Sequence, residues 1–188
     1  PLIYVNQIGA NDNLIFDGNS FILDKNGSKI KQLKSFSEDL SSWEIEQTKP
    51  EKNKFENSEM SSIFDALVLG VKDYAKKCGF KTALVGLSGG IDSALVSAIA
   101  TAALGSDNVY CVSMPSKWSS SHSKSDAKDL ARRLKISFKS IPIENLMTSF
   151  EESFIKNLSF EMAEITNQNI QSRIRGTLLM ALANQEKH

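Results

Sequence analysis

Eight consecutive residues, Gly86-Leu87-Ser88-Gly89-Gly90-Ile91-Asp92-Ser93, combine the groups needed to hold a polyphosphate. They close an apolar, strand-like run, Leu84-Val85, and lead into Ala94-Leu95-Val96-Ser97-Ala98, which reads as the start of an Ala-rich helix. The first N–H groups of a helix have no acceptor within it. They carry the positive end of the helix dipole and attract an anion. Gly89 and Gly90 let the backbone turn sharply and lie against a ligand. Ser88 and Ser93 add hydroxyl donors. Asp92 is the odd member: its carboxylate would repel a bare phosphate, which points to a metal ion between the two.

The spacing is neither G-x-x-x-x-G-K-[ST], since no lysine follows the glycines, nor G-x-G-x-x-G. It resembles the S-G-G-x-D-S pyrophosphate loop of the ATP pyrophosphatases. A second stretch, Met114-Pro115-Ser116-Lys117-Trp118-Ser119-Ser120-Ser121-His122-Ser123, follows the next apolar run. It reads either as a surface loop ending in a helix N-cap or as a source of hydroxyls and a Lys117 ammonium facing a nucleotide. His122 reads as a helix-start residue, with no second His or Cys near it. Asn169 and Arg173, four apart, share a helix face suited to gripping a substrate. Arg175, near Gln171 and Leu179, reads as a solvated charge.

The elements that must position these residues follow from periodicity. Residues 82–87, 109–114 and 136–141 are predicted strands. Helices are predicted at 91–104 and 122–134, the latter with Ala127, Leu130, Ala131 and Leu134 on one face. Alternation of this length means βαβ crossovers, a parallel sheet and helices on both faces. Such sheets bind ligands beyond the carboxyl ends of their strands, where both loops fall. Ile143, Leu146, Met147, Phe150 and Phe154 mark a further amphipathic helix, and a last helix is expected from about Asn167. The fold class is α/β with a doubly wound parallel sheet, preceded by short β strands.

Upstream, residues 59–77 predict a helix with Ile63, Leu67, Val71 and Tyr74 at helical spacing and Gly79 as its C-cap. Residues 1–36 read as three or four short strands that cannot bury their own faces, among them Leu2 to Ile8, with hairpin dipeptides at Asp17-Gly18 and Asn26-Gly27. Residues 37–58 read as a solvated linker that Trp43 could anchor. The expected organisation is therefore 1–36, a remnant of a β-containing domain; 37–58, a linker; and 59–188, the first part of an α/β domain. No Met precedes Pro1 and His188 falls inside a helical pattern, so the chain reads as a piece of a longer protein.

Composition narrows the function class. The 188 residues are 41% hydrophobic and 23% charged, as in a soluble globular protein, and 22 Lys and Arg balance 22 Asp and Glu. No basic excess favours nucleic acid or an anionic membrane. Cys78 and Cys111 form neither a metal spacing nor a disulfide framework, which agrees with a cytoplasmic protein. No apolar run reaches membrane-spanning length.

Together the segments resemble the glutamine-dependent NAD synthetases. Gly86 to Ala94 resembles the synthetase pyrophosphate loop, and Met114 to Ser123 with Asp126-Ala127 resembles its M-P-S-[RK]-[YW]-S-S-x-H-S loop. Asn169 to Gly176 and Leu179-Met180-Ala181 resemble its N-x-Q-x-R-x-R-x-x-L-M helix, with Ser172 where Ala is usual. Pro1 to Gly9 and Phe16 to Ser20 resemble the closing strands of a nitrilase-like glutaminase domain. The resemblance implies the adenine nucleotide α-hydrolase-like fold of an ATP pyrophosphatase. It implies a ligase that adenylates the nicotinate carboxylate of deamido-NAD with ATP and replaces AMP by ammonia drawn from glutamine. Gly86, Leu87, Ser88, Gly89, Gly90, Ile91, Asp92 and Ser93 would line the ATP site, Asp92 would hold Mg2+, and Asn169 and Arg173 would touch deamido-NAD. No residue need serve as a nucleophile. Its partners would be these small molecules and further copies of itself, with no nucleic acid and no membrane. The glutaminase Glu, Lys and Cys and the synthetase T-G-N-K-S-E run are missing between Pro1 and His188, so this piece alone is expected to be inactive. Two other readings compete: another ATP pyrophosphatase, such as a GMP synthetase or a tRNA-thiolation enzyme, and a nucleotide-binding module without chemistry.

Overall fold

The structure is a computed structural model that describes residues 1–46, 50, 58–158 and 162–186. It divides into two compact units, Pro1–Gly79 and Phe80–His188.

In the first unit, β1 (Leu2–Tyr4), β4 (Phe21–Leu23) and β5 (Lys29–Gln32) form an antiparallel sheet in the order β1-β4-β5. A separate hairpin joins β2 (Ile8–Asn11) to β3 (Leu14–Asp17). The predicted strand from Leu2 to Ile8 is thus two strands in two sheets. Asn6 breaks it: its backbone N–H donates to Ser20 Oγ at 3.0 Å and its side-chain amide to Asp17 Oδ1 at 3.0 Å. Asn26-Gly27 makes the expected hairpin between β4 and β5, where Asp24 Oδ1 accepts from the N–H groups of Asn26 and Ser28. Asp17-Gly18 does not. Gly18, at φ 71°, carries the chain from one sheet to the other, because β4 pairs with β1 and not with β3. Leu2, Ile3, Val5 and Leu14 are half or more exposed, in keeping with strands that cannot cover themselves.

The helix α1 (Glu59–Cys78) has the predicted ends. Ser58 Oγ accepts from the Ser61 N–H at 3.2 Å, and Gly79 closes the helix at φ 76°. α1 packs on β2 and β3. A polar clamp fastens it there: the Ala10 N–H donates to Asp73 Oδ2 at 2.7 Å, and Lys77 bridges Asp73 at 2.9 Å while donating to the Ala10 carbonyl. The Ala10 N–H first, and Lys77 second, hold the Asp73 carboxyl below its ordinary value. Stability from this group is therefore complete above the usual carboxylate range and is lost as pH falls through the depressed value. Asp73→Asn is expected to lower the melting temperature at neutral pH and to shallow its fall toward about pH 3. Parallel melting curves for the two proteins across that range would remove the clamp from the account.

Residues 47–49 and 51–57 of the predicted linker lie outside the described residues. Among its described residues, 37–46 hold no helix or strand; all are exposed except Trp43, which is half-buried. Asp39 Oδ2 accepts from the Lys34 N–H, and Lys31 donates to the Ser42 carbonyl, so this part lies back on the first unit.

The second unit is the expected α/β fold. Its strands β6 (Ala83–Gly86), β7 (Val109–Ser113) and β8 (Ser137–Ser140) are parallel in sequence order. Helices α2 (Ile91–Leu104) and α3 (Ser121–Leu134) make the crossovers, and α4 (Glu144–Leu158) and α5 (Glu164–Glu186) follow. Strand alternation divides the interior. Val85, Leu87, Val109 and Cys111 pack with Ala100 of α2 and with Ala127 and Ala131 of α3. Leu84, Val112 and Met114 pack with Met147 of α4 and with Ile174 and Leu178 of α5. The sheet is therefore covered on both faces, as a parallel sheet must be. Ser97, fully buried, lies 3.5 Å from Cys111 Sγ, so the small side chains of α2 bring it close onto β7. Among the described residues no helix is long and apolar enough to cross a membrane.

Candidate functional site

The carboxyl edge of the sheet holds the predicted loop. The Leu87 N–H donates to the Val112 carbonyl at 2.9 Å as the last rung to β7, and the chain then turns away. Gly89 makes the turn at φ 86°, where a Cβ would lie 2.1 Å from the Ser123 carbonyl oxygen. Only glycine fits there. Gly90 is the N-cap of α2 and offers no side-chain acceptor, so the amides of Ile91, Asp92 and Ser93 keep their orphan status.

The two serines hold the loop in shape. Ser93 Oγ accepts from the Ser88 N–H at 3.2 Å and donates to the Gly90 carbonyl at 3.0 Å. Ser88 Oγ lies 3.0 Å from Ser93 Oγ and accepts from the Gly90 N–H at 3.2 Å. The result is a paired hydroxyl site above uncapped helix amides, with Ser88 exposed for a ligand. Asp92 stands exposed in the first turn of α2. Among the described residues no three His, Cys, Asp or Glu side chains form a metal-binding group. A lone carboxylate beside an anion site still suits magnesium, which commonly takes one or two protein carboxylates and fills its shell with phosphate oxygens and water.

A cavity of about 290 Å³ opens beside this loop. Gly86, Leu87 and Ser88 line it from β6 and its turn, Val112 to Pro115 from the end of β7, and Ser119, Ser123 and Lys124 from the second loop and α3. Arg175 and Leu179 of α5 close it. The serine-rich stretch caps the next helix and also reaches the cavity. Ser120 caps α3 by accepting from the Ser123 N–H at 3.0 Å, while Ser119 and Ser123 reach the cavity wall. Lys117 does not: its ammonium sits 4.4 Å above the Trp118 ring and 3.7 Å from Glu151. His122 is exposed in the first turn of α3, as expected.

The last helix divides its polar residues differently from the sequence reading. Asn169 and Arg173 are exposed and joined by a 3.3 Å bond from Arg173 Nη1 to the Asn169 carbonyl, outside the residues that line the cavity. Arg175, expected to be solvated, is half-buried and donates through Nε to the Met114 carbonyl at 3.1 Å. Burial alone lowers its pKa from the usual guanidinium value. Two residues along a helix are about 200° apart, so only one of the two arginines can face the sheet. Burial of Ile174 decides which side packs, and no local signal distinguishes Arg173 from Arg175.

The model of the family described as NAD synthase matches residues 63–188. The chain is 45% identical over 193 residues to the glutamine-dependent NAD(+) synthetase of a Synechocystis strain, with 100% of this chain and 35% of that protein covered. It is 40% identical to the Rhodobacter capsulatus enzyme of the same name, covering 98% and 35%. A solved glutamine-dependent NAD+ synthetase from Acinetobacter baumannii, in complex with ADP, matches with a TM-score of 0.89 and 38% identity, covering 97% of this chain and 36% of that one. The chain spans about 35% of the length of these curated relatives.

Proposed function

The chain belongs to the NAD synthase family, and on that premise we propose that the whole protein converts deamido-NAD to NAD with ATP and with ammonia drawn from glutamine. The observation that carries the reading is the paired Ser88 and Ser93 hydroxyls above the uncapped start of α2, with Asp92 beside them. In the first step a nicotinate carboxylate oxygen bonds to the α-phosphorus of ATP, and the bond from that phosphorus to the bridging oxygen of pyrophosphate breaks. The departing group gathers negative charge where Ser88, Ser93 and the first amides of α2 can donate to it. Magnesium supplies charge neutralisation when bound, and Asp92 would hold it. Ammonia then bonds to the acyl carbon, AMP leaves with the electron pair of the broken C–O bond, and nitrogen sheds a proton to give the amide.

Asn169 and Arg173 would grip deamido-NAD from the exposed face of α5, and Gly86 to Ser93 would line the ATP site. The ADP bound by the Acinetobacter baumannii relative supports adenine-nucleotide binding by the whole protein. Residues 1–36 would close a glutaminase domain, 37–58 would link, and the synthetase part would begin with α1, near the start of the family match at residue 63. A cytoplasmic location and self-association complete the proposal.

The test is exchange of labelled pyrophosphate into ATP by the full-length protein. Exchange that requires deamido-NAD is the expected result. Exchange that requires xanthylate or tRNA instead would replace the reading with another ATP pyrophosphatase. Nucleotide binding with no exchange under any substrate would leave a binding module.

A further inference from the structure

The carbonyls at the end of β7 alternate sides. Those of Ser113 and Pro115 accept from Ile141 and Ile143 at 2.8 and 2.9 Å, on the β8 side. Val112 accepts from Leu87 on the β6 side. Parallel register would bring the next donor, the Gly89 N–H, to the Met114 carbonyl. It cannot arrive, because Gly89 has already turned away at φ 86° to form the anion loop. The same turn that makes the loop thus leaves Met114 without a strand partner at the edge of the cavity. Arg175 Nε donates to that carbonyl from across the cavity, on α5.

Arg175 is otherwise poorly matched for a half-buried cation. Its other partner is the neutral Gln171 Oε1 at 3.5 Å, and among the described residues no carboxylate pairs with it. Five N–H donors are available to a guanidinium, and Met114 and Gln171 occupy two. Placing an unpaired cation there has a desolvation cost that a surface position would avoid. A neutral donor could cap one carbonyl more cheaply. A guanidinium that keeps free N–H groups in the wall of a cavity that Ser88 also lines is suited to an occupant carrying negative charge.

We infer that Arg175 is a positioning residue of the nucleotide site: its guanidinium replaces the missing strand donor at Met114 and so fixes the Met114–Pro115 wall against which a nucleotide seats. The inference rests on the reading of this cavity as the ATP site. It assigns Arg175 to ATP and leaves deamido-NAD to other residues.

The experiment is calorimetric titration of the full-length protein with α,β-methylene-ATP, which cannot release pyrophosphate, and separately with deamido-NAD. Wild type, Arg175→Met and Arg175→Lys are compared. Losing the donor leaves a buried acceptor unpaired, so Arg175→Met is expected to weaken the ATP analogue about tenfold and deamido-NAD less than about twofold. Arg175→Lys, which retains a donor and the charge, is expected to recover most of the loss. A purely structural residue would weaken both ligands together, and that result, or no change in either, overturns the inference. Should Arg175→Met not fold, the neutral and shorter Arg175→Gln takes its place: a selective loss for the analogue supports the role, and an equal loss for both ligands, or no change in either, overturns it. Failure of wild type to bind the analogue removes this role and the ATP site together. Analogue binding that depends on Arg175, in a protein without deamido-NAD-dependent exchange, removes the synthetase reading and leaves Arg175 in place.

Discussion

Replacing Gly89 with alanine is expected to cost the full-length protein at least about a hundredfold in kcat/KM for ATP and several degrees in melting temperature. Two penalties act at one atom. A φ of 86° puts any Cβ in the left-handed region, which costs roughly 1–2 kcal/mol for a non-glycine residue. The new methyl would also lie 2.1 Å from the Ser123 carbonyl oxygen and 2.7 Å from its carbon. Those are backbone atoms in the first turn of α3, so no rotamer change relieves the contact. Overpacking of this kind typically costs a further 1–3 kcal/mol, roughly, and the relief must come from the loop or from α3. Either movement separates Ser88 and Ser93 from the second loop across the cavity. Gly90→Ala is the contrast. Its φ of −87° is allowed, and its Cβ would meet only Ser88 Oγ at 3.3 Å. It should fold like wild type and lose ATP affinity with little change in melting. Equal melting temperatures for Gly89→Ala and wild type would show that the Gly89–Ser123 approach does not shape the loop.

The same closeness explains what was legible in the sequence. The second unit was readable because its local and tertiary preferences agree. Gly90 and Gly105 bracket a run of small and aliphatic residues, and α2 has the expected limits, Ile91–Leu104. Alternation in β7 sends Cys111 to one core and Val112 to the other, as a two-faced parallel sheet requires. The turn from Gly86 to Ser93 between β6 and α2 was legible because its glycines and serines each have one structural use in that place. The first unit was harder. Its β2–β3 turn places Asp12 at φ 51° without a glycine, so the hairpin carries no dipeptide signal. Asp17-Gly18 has the signal and serves to change sheets. Arg175 was misread for a different reason. Apolar residues of α5 contribute to the core through Ile170, Ile174, Leu178, Leu179 and Leu182, a band broad enough to hide which flank turns inward. The need for a donor at Met114 arises only when Gly89 leaves the sheet, and that need is tertiary.

Asp92→Asn separates chemistry from folding more cleanly than any glycine change. Asp92 is exposed, so the amide fits its place. The charge near the start of α2 contributes about 0.3–1 kcal/mol through the helix dipole, which bounds the expected loss of stability. If the carboxylate only caps the dipole, turnover should be almost unchanged, and anion affinity could even rise as repulsion is removed. If it holds magnesium against a departing pyrophosphate, its loss acts on the transition state, where charge on the leaving group is greatest. The expected result for the full-length protein is a fall of about a hundred- to a thousandfold in kcat, comparable with loss of one electrostatic stabiliser. The magnesium concentration for half-maximal rate should rise at the same time, while the KM for deamido-NAD changes little. A kcat within about fivefold of wild type, with an unchanged magnesium requirement, would return Asp92 to the role of a helix-start residue. The loop would then hold its anion through Ser88, Ser93 and the α2 amides alone.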